Sequence, residues 1–373
     1  MYKKLWVIKL ICGVLMLIVT VRFSVPVSEA LVTAFTFFQS EINYQQKDYA
    51  ENMSSFIEAP KGEERTDEAV TAPDEKTSGA ELSASAYETP EDVLSFEEEY
   101  LAAFSQSTAA GSTEEVFFRT SGATDNVDIV SVKNATATKK PDFQALINEG
   151  ISLDVSDKSE PLVLIFHTHT TETYLLSDNG VFYDGFQSRS KDNAKNMVRV
   201  GDEICRVLEN NGIGYIHDTT VYDESYEGAY GRSRVSVEKY LREYPSIQIV
   251  LDVHRDAIYY SDTSRCKPTA VINGRKAAQI MIITGAQEGY ITEFPGWEDN
   301  LKFALCFHKT AEEAYNGLMK PLYFCQRKYN MDLGKYSLLL EVGTDANTLD
   351  EALYTANLTG HILSDIINGC VVE

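Results

Sequence analysis

The chain has 373 residues, with 33 Lys and Arg against 56 Asp and Glu, and a formal net charge of −23. Such an acidic chain lacks the basic stripe that phosphate backbones require, so no nucleic-acid partner is expected. Six cysteines, Cys12, Cys205, Cys266, Cys306, Cys325 and Cys370, are scattered without CxxC spacing, which disfavours a thiolate metal site, cysteine nucleophilic catalysis and a disulfide framework.

At the amino terminus, Lys3, Lys4 and Lys9 flank or interrupt an apolar stretch from about Leu5 to Val21, and Arg22 comes directly after it. A positive start favours a cytoplasmic terminus, so the chain beyond the stretch would be exported. The uninterrupted core, Leu10 to Val21, is long enough for a signal peptide. With Lys9 reaching back to the interface and the partly apolar Phe23 to Val32 added, it also suffices for a marginal span. Ser28-Glu29-Ala30 offers a small-residue cleavage site. The expectation is a retained anchor over residues 1–33 in a single-pass cell-membrane protein, with the catalytic part on the extracytoplasmic side.

Composition then shifts. From Glu41 to Asp128 the chain carries 21 acidic and 5 basic side chains, with few aliphatic residues. Too little apolar surface is available there to offset ordering entropy, so residues 34–127 read as a flexible acidic linker. Within it, Pro90 to Phe104 reads either as a short amphipathic helix or as disordered chain.

Residues 128–373 read as one α/β domain. Val127 to Val132 is a predicted strand and Phe143 to Ile147 a predicted short helix. A helix is predicted over Ala194 to Asn210, stopped by Asn211-Gly212. Next come a strand over Ile213 to His217, a helix over Val235 to Glu243 and a strand over Ile247 to His254. Asn273-Gly274 between strand formers predicts a hairpin, Met281 to Gly285 a strand, and Leu301 to Leu318 a helix. Tyr290 to Trp297 reads as a rim loop, and His217, His308 and His361 as packing or surface residues. The rhythm predicts a mostly parallel or mixed twisted sheet with helices on both faces.

Chemistry concentrates where apolar runs stop. Leu162 to Phe166 leads into His167-Thr168-His169-Thr170-Thr171-Glu172, Ile247 to Val253 into His254-Arg255-Asp256, and Ser337 to Leu340 into Glu341. Ligand groups collect at strand carboxyl ends in α/β proteins. A catalytic zinc takes three protein ligands and leaves a fourth position open. His167 or His169, together with Glu172 and His254, can supply three, and Glu341 remains as a general base. Alternation along an extended His-Thr-His would put both imidazoles on one face. Glu341 could equally be a structural carboxylate paired with Arg255.

The segment from about Asp128 onward is similar to the stage II sporulation protein P family of cell-wall hydrolases, relatives of zinc-dependent N-acetylmuramoyl-L-alanine amidases. The resemblance rests on His167 to Tyr174, Asp252 to Ala257, Ile272 to Ile280, Trp297 to Ala304 and Glu341 to Leu349. It implies an amidase-like fold and a Zn2+ ion held by His169 (or, in its place, His167), Glu172 and His254, with Glu341 as catalytic base. From the residues themselves, Arg255 or His167 could assist at the oxyanion, and Asp256 and Asp345 read either as carboxylates that orient the imidazoles or as strand-end caps or turns. The sequence departs from the family at Phe294-Pro295-Gly296-Trp297 and at Tyr329-Asn330-Met331-Asp332, which puts substrate contacts in question. The implied substrate is peptidoglycan, cut at the N-acetylmuramoyl-L-alanine amide, with stem-peptide cross-links as a second candidate bond. The implied setting is forespore engulfment, with stage II sporulation proteins D and M as partners. The other class that fits is a non-catalytic relative that binds peptidoglycan or scaffolds a membrane complex.

Overall fold

The computed structural model describes residues 87–370. The anchor expected over residues 1–33 and most of the expected linker lie outside the described residues. Among the described residues, no helix is long and apolar enough to cross a membrane.

An eight-stranded mixed sheet forms the centre. Its strands are β2 (Asp125–Val127), β3 (Val130–Asn134), β4 (Val163–Phe166), β6 (Tyr215–His217), β7 (Ile249–Asp256), β11 (Ile280–Gly285), β12 (Leu322–Cys325) and β13 (Tyr336–Thr344), in the order β2-β3-β12-β11-β13-β7-β4-β6. β13, β7, β4 and β6 run parallel to one another, while β11 is antiparallel to β13. β4 and β7 are buried on both faces, which is why they read as unbroken apolar runs.

The pleat sorts these strands by face. Val163, Ile165, Ile249, Leu251, Val253, Leu338 and Leu340 join the main core. Against that face lie α3 (Met197–Asn210), α5 (Trp297–Ala314) and α6 (Leu349–Gly369), whose inward residues include Val200, Ile204, Phe303, Phe307, Ala356 and Leu363. Leu164, Phe166 and Val250 point the other way, against Val237 and Tyr240 of α4 (Ala229–Glu243). His254 shares the parity of Val250, and Glu341 that of Leu339, so both belong to the α4 side. Two short helices, α1 (Glu91–Ala103) and α2 (Phe143–Glu149), pack Val93 and Phe143 onto the main core.

A second sheet joins β10 (Arg275–Ala278), β9 (Ser264–Ile272), β1 (Ala109–Val116) and β5 (Val181–Tyr183), with β8 (Tyr259–Ser261) on β9. The predicted hairpin is the β9/β10 turn. Asn273 at φ 49° and Gly274 at φ 78° occupy the two left-handed positions such a turn demands.

The acidic stretch is corrected within the described residues, because residues 91–127 of it are not a free tether. They contain α1, β1 and β2, and β1 pairs in parallel with β9 from Ser112↔Ser264 to Val116↔Pro268. Strand pairing needs backbone groups rather than apolar side chains, and the acidity is matched across the fold. Lys267, 1% exposed, places its Nζ 3.1 Å from Glu115, 2.5 Å from Asp178 and 2.7 Å from Glu351. Composition averaged over the segment does not register such partners. These three carboxylates also bring ligand atoms within 4.8 Å of one another, but the Lys267 ammonium already supplies their countercharge.

His308 on α5 is a packing residue, as expected. It is 2% exposed, and neither ring nitrogen has a hydrogen-bond partner. Burial pushes its pKa down to about 4. The unfolded chain therefore binds the extra proton first, and stability present above about pH 6.5 is lost as pH falls toward 4, by at most about 3 kcal/mol. Replacing His308 by Leu is expected to flatten urea-unfolding stability across that window, as measured at several pH values.

Candidate functional site

The turn after β4 is built by its threonines. Thr168 donates from its N (2.8 Å) and its Oγ1 (2.7 Å) to the Asp252 carboxylate on β7. Thr170 Oγ1 donates to the carbonyls of His167 (2.7 Å) and Thr220 (2.8 Å). Thr171 donates from N (3.1 Å) and Oγ1 (2.6 Å) to Asp223, and Thr173 Oγ1 to Gln187 O (2.8 Å). Four buried hydroxyls, each satisfied, fix the turn that carries His169 and Glu172.

His169, Glu172 and His254 converge there. The His169 and His254 rings lie 5.3 Å apart, nearly perpendicular at 82°. His254 Nδ1 is 3.6 Å from Glu172 Oε2, and its Nε2 makes a 2.7 Å ion pair with Asp252 Oδ1. Asp252 thus holds one side of the ring and leaves Nδ1 toward the cluster. Glu172 Oε2 also accepts from the Arg255 backbone N (3.2 Å), and Arg189 Nη2 lies 3.4 Å from Oε1. Asp223 Oδ2 lies 4.0 Å from His169 Nδ1 and is itself held by Arg189 at 2.5 Å. Glu341 enters from the neighbouring strand, because the β7/β13 register sets it directly opposite His254.

The electrostatics derive from burial and charge. Burial pushes His169 down to about 3, which keeps its imidazole neutral with one ring nitrogen's lone pair available. Burial works against ionised Glu172, yet Arg255 and His254 hold it well below the usual carboxylate range. For His254 burial opposes the charge as well, but Asp252 and Glu172 raise it well above its ordinary value. Burial, with the charge of Asp256, raises Glu341 to about 8.

His169 Nδ1 and Glu341 Oε2 are sealed from solvent without hydrogen-bond partners. Unpaired buried polar atoms are rare and ask for an explanation. Two imidazoles and a carboxylate are by chemistry a donor set that could hold a divalent transition metal, with His169, Glu172 and His254 as the residues, although their ligand atoms are not gathered within 4.8 Å of one another as those of Glu115, Asp178 and Glu351 are.

The other expected residues stand apart. His167 is turned away: its Nδ1 lies 2.8 Å from Val253 O and its Nε2 2.9 Å from His217 Nε2, whose Nδ1 pairs with Asp202 at 3.0 Å. β4 ends at Phe166 and gives way to a turn, so alternation does not carry through His-Thr-His, and the two imidazoles point apart. Arg255 spends its guanidinium on the carbonyls of Thr173 (2.9 Å), Ser188 (2.7 Å) and Asp256 (3.3 Å), clamping the loop that bears Glu172. Its side chain therefore braces the site and does not pair with Glu341. Asp256 accepts from Ala257 N (2.8 Å) and lies 3.5 Å from Lys320 Nζ, whereas Asp345 accepts from Tyr259 (2.8 Å) and Arg265 (2.9 Å). Neither contacts an imidazole. The carboxylates beside the imidazoles are Asp252 and Asp223, which sequence reasoning passed over. Asp252 was within reach, being two residues before His254 on one strand face, but nothing local marks Asp223.

The described part is thus a mixed α/β protein with a His, Glu, His and Glu cluster at the carboxyl ends of parallel strands. The model of the stage II sporulation protein P family matches residues 27–367, and the chain belongs to that family. Stage II sporulation protein P of Bacillus subtilis (strain 168) is 30% identical over 217 residues, covering 55% of this chain and 51% of that protein. The chain thus spans about half the length of that relative. Among solved structures, the CwlD amidase of Clostridioides difficile, in complex with the GerS lipoprotein, is 12% identical over 54% of this chain and 98% of its own, at a TM-score of 0.34. The N-acetylmuramoyl-L-alanine amidase AmiC2 of Nostoc punctiforme is 11% identical over 56% and 96%, at 0.33. These two structural likenesses are too distant to bear on activity.

Gly201 on α3 makes room behind the site. A Cβ there would stand 2.4 Å from His217 Nε2 and 2.6 Å from His167 Nε2. Both rings are confined by hydrogen bonds, so Gly201→Ala is expected to destabilise the fold by about 1–3 kcal/mol in chemical denaturation.

Proposed function

We propose that the chain is a zinc-dependent peptidoglycan hydrolase that cleaves the amide between N-acetylmuramic acid and L-alanine. The observation that carries this reading is Glu341, a partly buried carboxylate with one oxygen sealed from solvent, set by strand register beside His254, where a binding module would need no base. Family membership supports the same reading.

In this reading His169, Glu172 and His254 hold Zn2+. When bound, the metal supplies Lewis-acid polarisation of the scissile carbonyl and makes a water acidic near pH 7. Glu341 takes the proton from the attacking water and returns it to the departing amine nitrogen as the tetrahedral species collapses. Burial, which raises Glu341 above the usual carboxylate range, makes its ionised form a stronger base than an exposed carboxylate. Asp252 orients His254, the Arg255 clamp fixes Glu172, and the threonine turn keeps His169 aimed. Burial of the cluster strengthens each of these interactions by keeping bulk water away.

The apolar amino-terminal stretch would anchor the enzyme in the cell membrane, with its catalytic part facing the wall during forespore engulfment. Stage II sporulation proteins D and M are the partners implied by the family, and stem-peptide cross-links are a second candidate bond. A non-catalytic peptidoglycan-binding role is the competing reading.

Three results are expected. Mass spectrometry of muropeptides released from purified sacculi should show free stem peptides with zinc and none with a chelator. Glu341→Gln should lower the rate by about 10²–10⁴-fold while zinc titration still reports one bound ion. Asp252→Asn should weaken zinc affinity by about 10–100-fold, read by chelator competition. Sacculi bound but uncut under every condition would establish the binding role instead, and loss of cross-linked dimers alone would make the enzyme an endopeptidase.

A further inference from the structure

α4 lays one face on the sheet through Ala229, Ser233 and Val237, spaced four residues apart and each at 0% exposure. Two of the three are apolar, and Val237 packs with Leu164, Phe166 and Val250. Ser233 is the exception. A buried hydroxyl costs free energy unless it is bonded, and alanine would fill nearly the same space with a better helix propensity. Packing alone therefore gives no reason for a serine here.

Its hydrogen bonds supply one. Ser233 Oγ lies 2.8 Å from Thr168 Oγ1 and 3.1 Å from Asn330 Nδ2. Asn330 Nδ2 also reaches Tyr230 O at 2.9 Å, and a carbonyl only accepts, so the amide nitrogen is the group that faces Ser233 and it donates. At the other end the Thr168 hydroxyl gives its single proton to the Asp252 carboxylate at 2.7 Å and so accepts from Ser233. The line thus runs one way, from Asn330 to Ser233, to Thr168 and to Asp252. Asp252 Oδ1, which also accepts from Thr168 N at 2.8 Å, then holds His254 Nε2 at 2.7 Å. All five side chains belong to residues no more than 9% exposed. The outer end is fixed as well, since Asn330 sits at φ 61°, a left-handed conformation that asparagine adopts more readily than most residues.

We infer that Ser233 is a positioning residue for His254, held by Asn330 and acting through Thr168 and Asp252 to keep Nδ1 of the imidazole turned to the cluster. The inference deepens the proposed zinc reading and rests on it, because His254 is one of the residues assigned to the metal there. Both Asp252 oxygens accept from Thr168, so the carboxylate has one arrangement and cannot rotate away from the ring. Its partner Nε2 carries a proton, and Nδ1 is the nitrogen left for a metal. Ser233 bonds to neither imidazole of the cluster. It acts on the reaction only through the groups between.

The test compares full chains carrying Ser233→Ala, Asp252→Asn and the two together, with zinc affinity read by chelator competition. Ser233→Ala is expected to raise the zinc Kd about ten-fold. Its urea-unfolding stability should stay level or rise, since the helix gains an alanine. On the Asp252→Asn background the same change should cost no further affinity, because residues joined in one hydrogen-bonded line are not additive. Asn330→Gly suits the left-handed backbone and removes only the donor, so it should raise the Kd about two- to ten-fold, and it decides the matter if Ser233→Ala does not fold. Proton NMR of the metal-free chain adds a readout that needs no zinc: the His254 Nε2–H resonance should exchange slowly in the native chain and rapidly in Ser233→Ala. Zinc affinity and resonance both unmoved by Ser233→Ala, or a loss that adds in full to that of Asp252→Asn, would overturn the inference. A native chain that binds no zinc would refute the proposed hydrolysis, and the His254 resonance would then decide the positioning role by itself.

Discussion

The site depends above all on the pairing of β7 with β13. In that parallel ladder His254 is opposite Glu341, and the pleat sends both toward the α4 side, away from the main core. A shift of one residue would turn Glu341 to the core face and carry Leu340 or Val342 to the site. The register is protected because both strands are lined with large apolar residues on the core side, where α5 and α6 pack. Core packing thus fixes the distance between a proposed ligand and the proposed base, although none of the core residues takes part in chemistry.

Around that pair the protein divides charge among its neighbours. Opposite charges favour the ionised form of Glu172 and raise the pKa of His254, whereas burial lowers that of His169 and raises that of Glu341. Two carboxylates of one cluster thereby acquire opposite tendencies, the one to remain an anion and the other to exchange a proton. Arg255 contributes to this without reaching into the site. Its guanidinium satisfies loop carbonyls, and its charge and backbone N–H stabilise Glu172. A residue expected to act at an oxyanion instead supports the position of Glu172.

Behind the cluster, His167 is equally committed. Its two ring nitrogens are engaged by Val253 and His217, and Gly201 keeps the space that both rings occupy. The first histidine of the motif therefore joins β4 to β7 and β6, while the second faces the site. Tyr226 and Tyr230 stand against His169, whereas His167 stays in the interior.

Much of this was legible in the sequence, for an identifiable reason. Apolar runs ending in His, Glu or Asp mark strands whose ends carry polar groups, and that pattern located His169, Glu172, His254 and Glu341. The Asn273-Gly274 turn and the stop of α3 at Asn211-Gly212 were equally local, since each depends on the backbone freedom of one or two residues. What the sequence could not determine was which residues far apart in the chain would meet. Whether His167 or His169 faces the site depends on β4 ending at Phe166, and Asp223 reaches His169 through a loop that carries no periodic signal. The acidic segment, which composition marks as unable to fold alone, gives up β1 to pair with β9 because Lys267 and Lys276 supply the countercharges from a distant hairpin. Local chemistry sets which residues can act; only the tertiary fold, by bringing strand ends and charges together, decides which of them do.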